Sequence, residues 1–221
     1  MAVTRRQCIK RTAALLPWGI GALSPAAQAG ASAAASKPVV LVVGDSLSAE
    51  YGLRRGSGWV ALLEQRLARE KIDARVVNAS VSGDTTSGGR SRLPALLEQH
   101  APAVVVVELG ANDALRGLPL DMTERNLQAM GEAVRDAGAL LLLLGMRLPP
   151  NYGRTYGEDF AARYQRVAER LGAKLVPFFL KGVADVEDPT ALFQADRIHP
   201  REAAQATMLD NVWPVLRPML E

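Results

Sequence analysis

Apolar residues in this chain fall into two alternating rhythms. Short, nearly unbroken apolar runs cover residues 39–43, 74–78, 104–109, 140–144 and 174–177. The third and fourth are nearly continuous, the pattern of strands buried on both faces. Between the runs, residues 59–70, 91–100, 125–137 and 160–171 space their apolar positions helically, as Val60, Leu62, Leu63 and Leu67 do. Residues 203–220 predict a last helix, with an interruption expected near Pro214. Strand and helix taking turns imply right-handed crossovers, hence an α/β domain with a five-stranded parallel sheet and helices on both faces. There is no internal repeat and no sign of a second domain.

In a parallel sheet every strand ends on the same edge, so the segments that follow the strands converge there. These are Gly44-Asp45-Ser46-Leu47-Ser48, Ala79-Ser80-Val81-Ser82-Gly83-Asp84-Thr85, Gly110-Ala111-Asn112-Asp113 and, beyond the fifth strand, Asp196-Arg197-Ile198-His199-Pro200. Acyl transfer by serine needs a base for the hydroxyl proton, a group that fixes the base's tautomer, and donors for the oxyanion. Ser46 is the candidate nucleophile. Beyond residue 29 the only histidines are His100 and His199. His100 precedes the third strand at the amino edge, about 17–20 Å from Ser46 by strand length, so the candidate base is His199. Pro200 is expected to hold it extended at a helix entrance.

Asp196, three residues earlier, can orient the other ring nitrogen, or simply pair with Arg197. The N–H groups of Ser46 and Gly83 and the Asn112 amide are the natural oxyanion donors. Each residue also has an ordinary reading: a turn glycine, a helix cap, a surface histidine. Their joint placement favours the chemical one.

Four ordered blocks carrying Ser46, Gly83, Asn112 and the Asp196/His199 pair resemble the SGNH, or GDSL, hydrolases over essentially residues 38–220. The pattern is similar to the family's bacterial multifunctional thioesterase, lysophospholipase and arylesterase group. That resemblance implies a three-layer α/β/α, flavodoxin-like SGNH-hydrolase fold, no metal and no organic cofactor. It also implies that Leu148, Pro149, Asn151 and Tyr152 belong to a mobile substrate loop, with apolar surface from Leu148, Tyr152 and Tyr156. A monomer acting on small acyl esters, thioesters or lysolipids is the expectation.

The start of the chain reads separately. Basic Thr4-Arg5-Arg6-Gln7-Cys8-Ile9-Lys10, an apolar stretch, then Ala27-Gln28-Ala29 form an export signal over residues 1–29, similar to a twin-arginine signal although Cys8 replaces the usual aromatic. A linker over 30–37 and a domain over 38–221 follow, in a periplasmic or secreted product. Removing Arg5, Arg6, Lys10 and Arg11 takes the basic residues from 26 to 22 against 23 acids, a formal charge of −1. The basic balance therefore belongs to the signal, and no basic stripe interleaved with aromatics suggests nucleic acid. Cys8, the single cysteine, leaves as well, which excludes a thiol nucleophile.

Other readings are weaker. A carbohydrate O-acetylesterase would use the same blocks, but Tyr51 and Tyr164, read as exposed, form no sugar platform. A non-catalytic binding module would favour a glycine-rich phosphate loop after the first strand, and none is present. Asp45, Asp113, Asp196 and His199 make a poor transition-metal set.

Overall fold

The computed structural model describes residues 37–221. The export signal and all of the linker except Lys37 lie outside the described residues. Five parallel strands, β1 (Val39–Gly44), β2 (Arg75–Asn78), β3 (Val104–Glu108), β4 (Leu140–Leu144) and β5 (Lys174–Val176), form one sheet in the order β2-β1-β3-β4-β5. Six α-helices accompany them: α1 (Trp59–Arg69), α2 (Thr86–His100), α3 (Ala111–Leu115), α4 (Leu120–Asp136), α5 (Arg154–Leu171) and α6 (Glu202–Leu216). Helices α1 and α6 pack together on one face, and α2, α4 and α5 on the other. The three-layer, flavodoxin-like expectation is met.

The central strands carry the core. Every residue of β1 and β3 is buried, and their register pairs Val43 with Val107 and Gly44 with Glu108. Glu108 is thus a carboxyl group at the end of a strand otherwise made of valine. The order 2-1-3-4-5 reverses direction between β1 and β3, so the segments after those two strands part and leave a crevice between them. Ser46 follows β1 and Asn112 follows β3.

The helices begin earlier than periodicity suggests. Helix α2 starts at Thr86 rather than near Ser91, capped by the Thr85 side chain, because Gly88 and Gly89 are helical. A Cβ on Gly89 would collide with the Leu109 side chain, so glycine allows α2 to approach the end of β3. Helices α4 and α5 likewise start at Leu120 and Arg154. The expected interruption near Pro214 is absent: α6 runs through it to Leu216 and tightens into a 3₁₀ turn at Arg217–Met219. Val212, Trp213 and Leu216 are all buried, and burying them offsets the backbone hydrogen bond that proline forfeits.

Tyr164 corrects a second expectation. It is buried, packs edge-on against Phe160 and donates its hydroxyl to the Leu109 carbonyl at 2.9 Å. Among the described residues no helix is long and apolar enough to cross a membrane.

Candidate active site

Ser46 sits in the first turn after β1, half-buried. That turn is wound by Ala49 N–H onto the Asp45 carbonyl (3.0 Å) and by Leu47 N–H onto Asp45 Oδ1 (3.0 Å). The Asn78 amide, at the end of β2, holds the Ser48 carbonyl at 2.7 Å. His199 Nε2 lies 2.9 Å from Ser46 Oγ, and its Nδ1 lies 2.7 Å from Asp196 Oδ2. Asp196 does not pair with Arg197. Its Oδ1 instead accepts the N–H groups of Ile198 (2.9 Å) and His199 (3.0 Å), so one carboxylate shapes the loop and faces the ring. These bonds, led by the His199 N–H, hold its carboxyl down at about 2.

His199 is not at a helix entrance. Pro200 bridges back to Phe193, Gln194 N–H donates to the His199 carbonyl at 2.8 Å, and α6 begins only at Glu202. The loop closes tightly enough to place Arg197 at φ +58°. Sequence reasoning missed two further contacts. The Tyr51 ring lies 4.4 Å from the His199 ring, centre to centre, and the Gln194 amide donates to the Tyr51 carbonyl at 2.9 Å, tying the nucleophile turn to the histidine loop.

The expected oxyanion donors divide into two kinds. Among the described residues, neither Ser46 N–H nor Gly83 N–H has a protein acceptor. Gly83 adopts φ +78°, a conformation that favours glycine, and its carbonyl is turned away toward Arg116 at 2.8 Å. The Asn112 amide is occupied: Nδ2 donates to Asp45 Oδ2 and to the Asp84 carbonyl, both at 2.9 Å. Arg92 braces this region, binding Asp84 Oδ2 at 2.8 Å and the Ala79 carbonyl. Asp113, beside Asn112, is buried and receives both the N–H and the hydroxyl of Thr86, which joins α3 to the start of α2.

Of the predicted loop residues, Leu148 is half-buried against the core, while Pro149, Asn151 and Tyr152 are exposed. The loop follows β4 on the same edge, and Tyr156 fastens it to α3 by donating to the Ala114 carbonyl at 3.3 Å. None of the four loop residues hydrogen-bonds to Ser46, Asp196 or His199. His100 lies at the opposite edge, beside Lys37 and Pro102.

An open parallel sheet with a hydrogen-bonded serine, histidine and aspartate on its carboxyl edge defines the serine hydrolase class. Residues 42–207 match the GDSL-like Lipase/Acylhydrolase family. The chain is 54% identical to Esterase TesA of Pseudomonas aeruginosa over 186 residues, covering 84% of this chain and 91% of that protein. It is 42% identical to the Thioesterase 1/protease 1/lysophospholipase L1 of Escherichia coli over 187 residues, 85% and 87% of the two chains. A crystal structure of the psychrotrophic esterase EstA from Pseudoalteromonas sp., inhibited by monoethylphosphonate, superposes with a TM-score of 0.78 at 38% identity, covering 83% of this chain and 99% of that one. The chain belongs to the GDSL-like lipase/acylhydrolase family, and it is a hydrolase of acyl bonds.

Proposed function

We propose that Ser46 attacks the carbonyl of a carboxylic ester or thioester and forms an acyl-enzyme that water then hydrolyses. The observation that carries this reading is the unbroken chain from Asp196 through His199 to Ser46, at 2.7 and 2.9 Å. His199 takes the hydroxyl proton through Nε2 and returns it to the leaving group. Asp196, charged throughout the neutral range, keeps the Nδ1 proton in place and stabilises the imidazolium. Ser46 and Gly83 N–H receive the oxyanion directly, since nothing among the described residues competes for them. Asn112 joins them by turning one of its two amide hydrogens from its present acceptor.

Aryl esters, acyl thioesters and lysophospholipids are the substrates we infer, with Leu148, Pro149, Asn151 and Tyr152 forming one wall for the acyl chain. The paired arginines, apolar stretch and Ala27-Gln28-Ala29 support export to the periplasm. There, esters and lysolipids are available and cytosolic acyl thioesters are not. Action as a monomer is part of this reading.

The test is covalent labelling. A fluorophosphonate probe is expected to modify Ser46 of the wild-type protein and nothing in Ser46→Ala, with hydrolysis of p-nitrophenyl butyrate lost in parallel. Wild-type turnover by Ser46→Ala would remove Ser46 from the mechanism. A panel from p-nitrophenyl acetate to palmitate, with phenyl acetate, a lysophospholipid and acetylated xylan, then assigns the substrate class. Preference for the xylan would overturn the ester and lysolipid assignment.

A further inference from the structure

Glu108 is fully buried at the end of β3, beside Gly44 of β1. Its Oε2 accepts the Asp45 N–H at 3.3 Å and the Ser48 hydroxyl at 2.8 Å, and Ser48 Oγ accepts the Trp59 indole N–H at 3.1 Å. Its Oε1 is sealed from solvent and meets no N–H or O–H donor among the described residues. Glu108 also meets the carboxyl group of Asp45, itself only 1% exposed, whose N–H sits on Oε2. A buried carboxylate oxygen against a second carboxylate is untenable for both as anions. A single proton between the two groups turns the contact into a hydrogen bond.

The neighbours decide where that proton resides. Both Asp45 oxygens are already accepting, Oδ1 from Leu47 N–H and Oδ2 from the Asn112 amide. Oε2 of Glu108 takes two donors and Oε1 takes none. The vacant oxygen is therefore Glu108 Oε1.

We propose that Glu108 is a neutral carboxylic acid in the working enzyme, donating from Oε1 to Asp45, which remains the one anion of the pair and holds the Asn112 amide at the oxyanion site. This rests on the oxyanion role of Asn112 given above. Glu108 and Asp45 are then positioning residues: Glu108 acts through Asp45, and Asp45 through Asn112. The surrounding charges fit this division. Burial, then the Asp45 charge, push Glu108 well above the usual carboxylate range, whereas Asp45 rises only to about 6 because the Leu47 N–H and the Glu108 hydrogen bond offset its burial. Asp84 raises Asp45 and His199 lowers it; Tyr164 stands behind both carboxyls, and Arg92 neutralises Asp84.

The division also settles which Asn112 hydrogen is released to the oxyanion. A hydrogen bond to an anion is roughly twice as strong as one to a neutral acceptor. The bond to Asp45 stays, and the hydrogen on the Asp84 carbonyl turns.

Crossed amide substitutions test the assignment. Glu108→Gln places an amide N–H where the acid O–H stood and keeps an oxygen for Asp45 N–H and Ser48. Its kcat with p-nitrophenyl butyrate is expected within about threefold of wild type. Asp45→Asn has one oxygen for three donors, the Leu47 N–H, the Asn112 amide and the Glu108 acid, and its kcat is expected to fall about 10²–10³-fold at unchanged KM, as for loss of an oxyanion donor. The reverse order, a tolerant position 45 and a crippled Glu108→Gln, overturns the proposal. The wild-type protein supplies a second reading. The ¹³C-glutamate carboxyl resonance that disappears in Glu108→Gln should keep its protonated position between about pH 5 and 8, well above the ordinary glutamate range. A carboxylate resonance at neutral pH also overturns it. If Ser46 resists the fluorophosphonate probe, the site reading fails separately, because the resonance reports the Glu108 proton whatever Ser46 does.

Discussion

Asp196→Asn isolates the tautomer of His199 from the shape of the loop that carries it. The Asp196 carboxylate divides its work: Oδ1 accepts two backbone N–H groups and Oδ2 faces His199 Nδ1. An asparagine can keep its oxygen on the two N–H groups and present its amide to Nδ1. The imidazole must then carry its proton on Nε2, where it donates to Ser46 instead of accepting. Reaching the active tautomer means losing a charge-assisted hydrogen bond, about 1.5–3 kcal/mol, and opposing two donors, about 1–3 kcal/mol more. At about 1.4 kcal/mol per decade the sum corresponds to a fall of 10² to 10⁴ in kcat. The Asp196 side chain is 37% exposed, so water relieves part of the donor clash, and the expected loss is about 10³-fold. The measurement is kcat for p-nitrophenyl butyrate at neutral pH beside a thermal melt, with Tm within about 3 °C of wild type because both backbone bonds survive. A loss under about tenfold at unchanged Tm would refute tautomer control by Asp196.

Two further outcomes are expected. Deleting residues 149–152 should lower the ratio of p-nitrophenyl palmitate to p-nitrophenyl acetate turnover by about tenfold, equivalent to about 1.4 kcal/mol of acyl-chain contact; equal losses on both esters would make the loop scaffolding. The pH dependence of stability should carry the sign of Asp45: its carboxyl rises from 3.8 to about 6 on folding, so the stability it contributes is full below about 4 and is lost as pH rises through 6. Urea titrations of wild type minus Asp45→Asn should show a decline on the order of 3 kcal/mol across that window, and a rise would refute the burial argument.

The fold was legible because buried parallel strands are written as apolar runs, and 104–109 and 140–144 admit little else. The pairing of Asp196 with His199 was legible through scarcity: one histidine on the carboxyl edge, with an aspartate three residues before it. What stayed hidden shares a physical cause, that local pattern is silent about tertiary contact. Helix α3 has five residues, too few for a period to appear. Gly88 and Gly89 read as breakers although a Cβ would collide with the Asp84 side chain at Gly88 and with the Leu109 side chain at Gly89. Tyr164 reads as a surface aromatic until Leu109 supplies an acceptor for its hydroxyl. Glu108 did leave a signal, as an acid within the valine run of 104–109, and Tyr51 and Gln194 left none.

The order of the blocks along the chain divides the chemistry unequally. Asp196 and His199 lie three residues apart and share a loop closed by its own backbone bonds, whereas His199 and Ser46 meet across 153 positions. The exposed loop at Pro149–Gly153 falls between them: the part before it holds the proposed nucleophile and oxyanion donors, the part after it the proposed acid and base. A cut there is expected to leave two fragments that each lack part of the proposed site, so that ester turnover would require both.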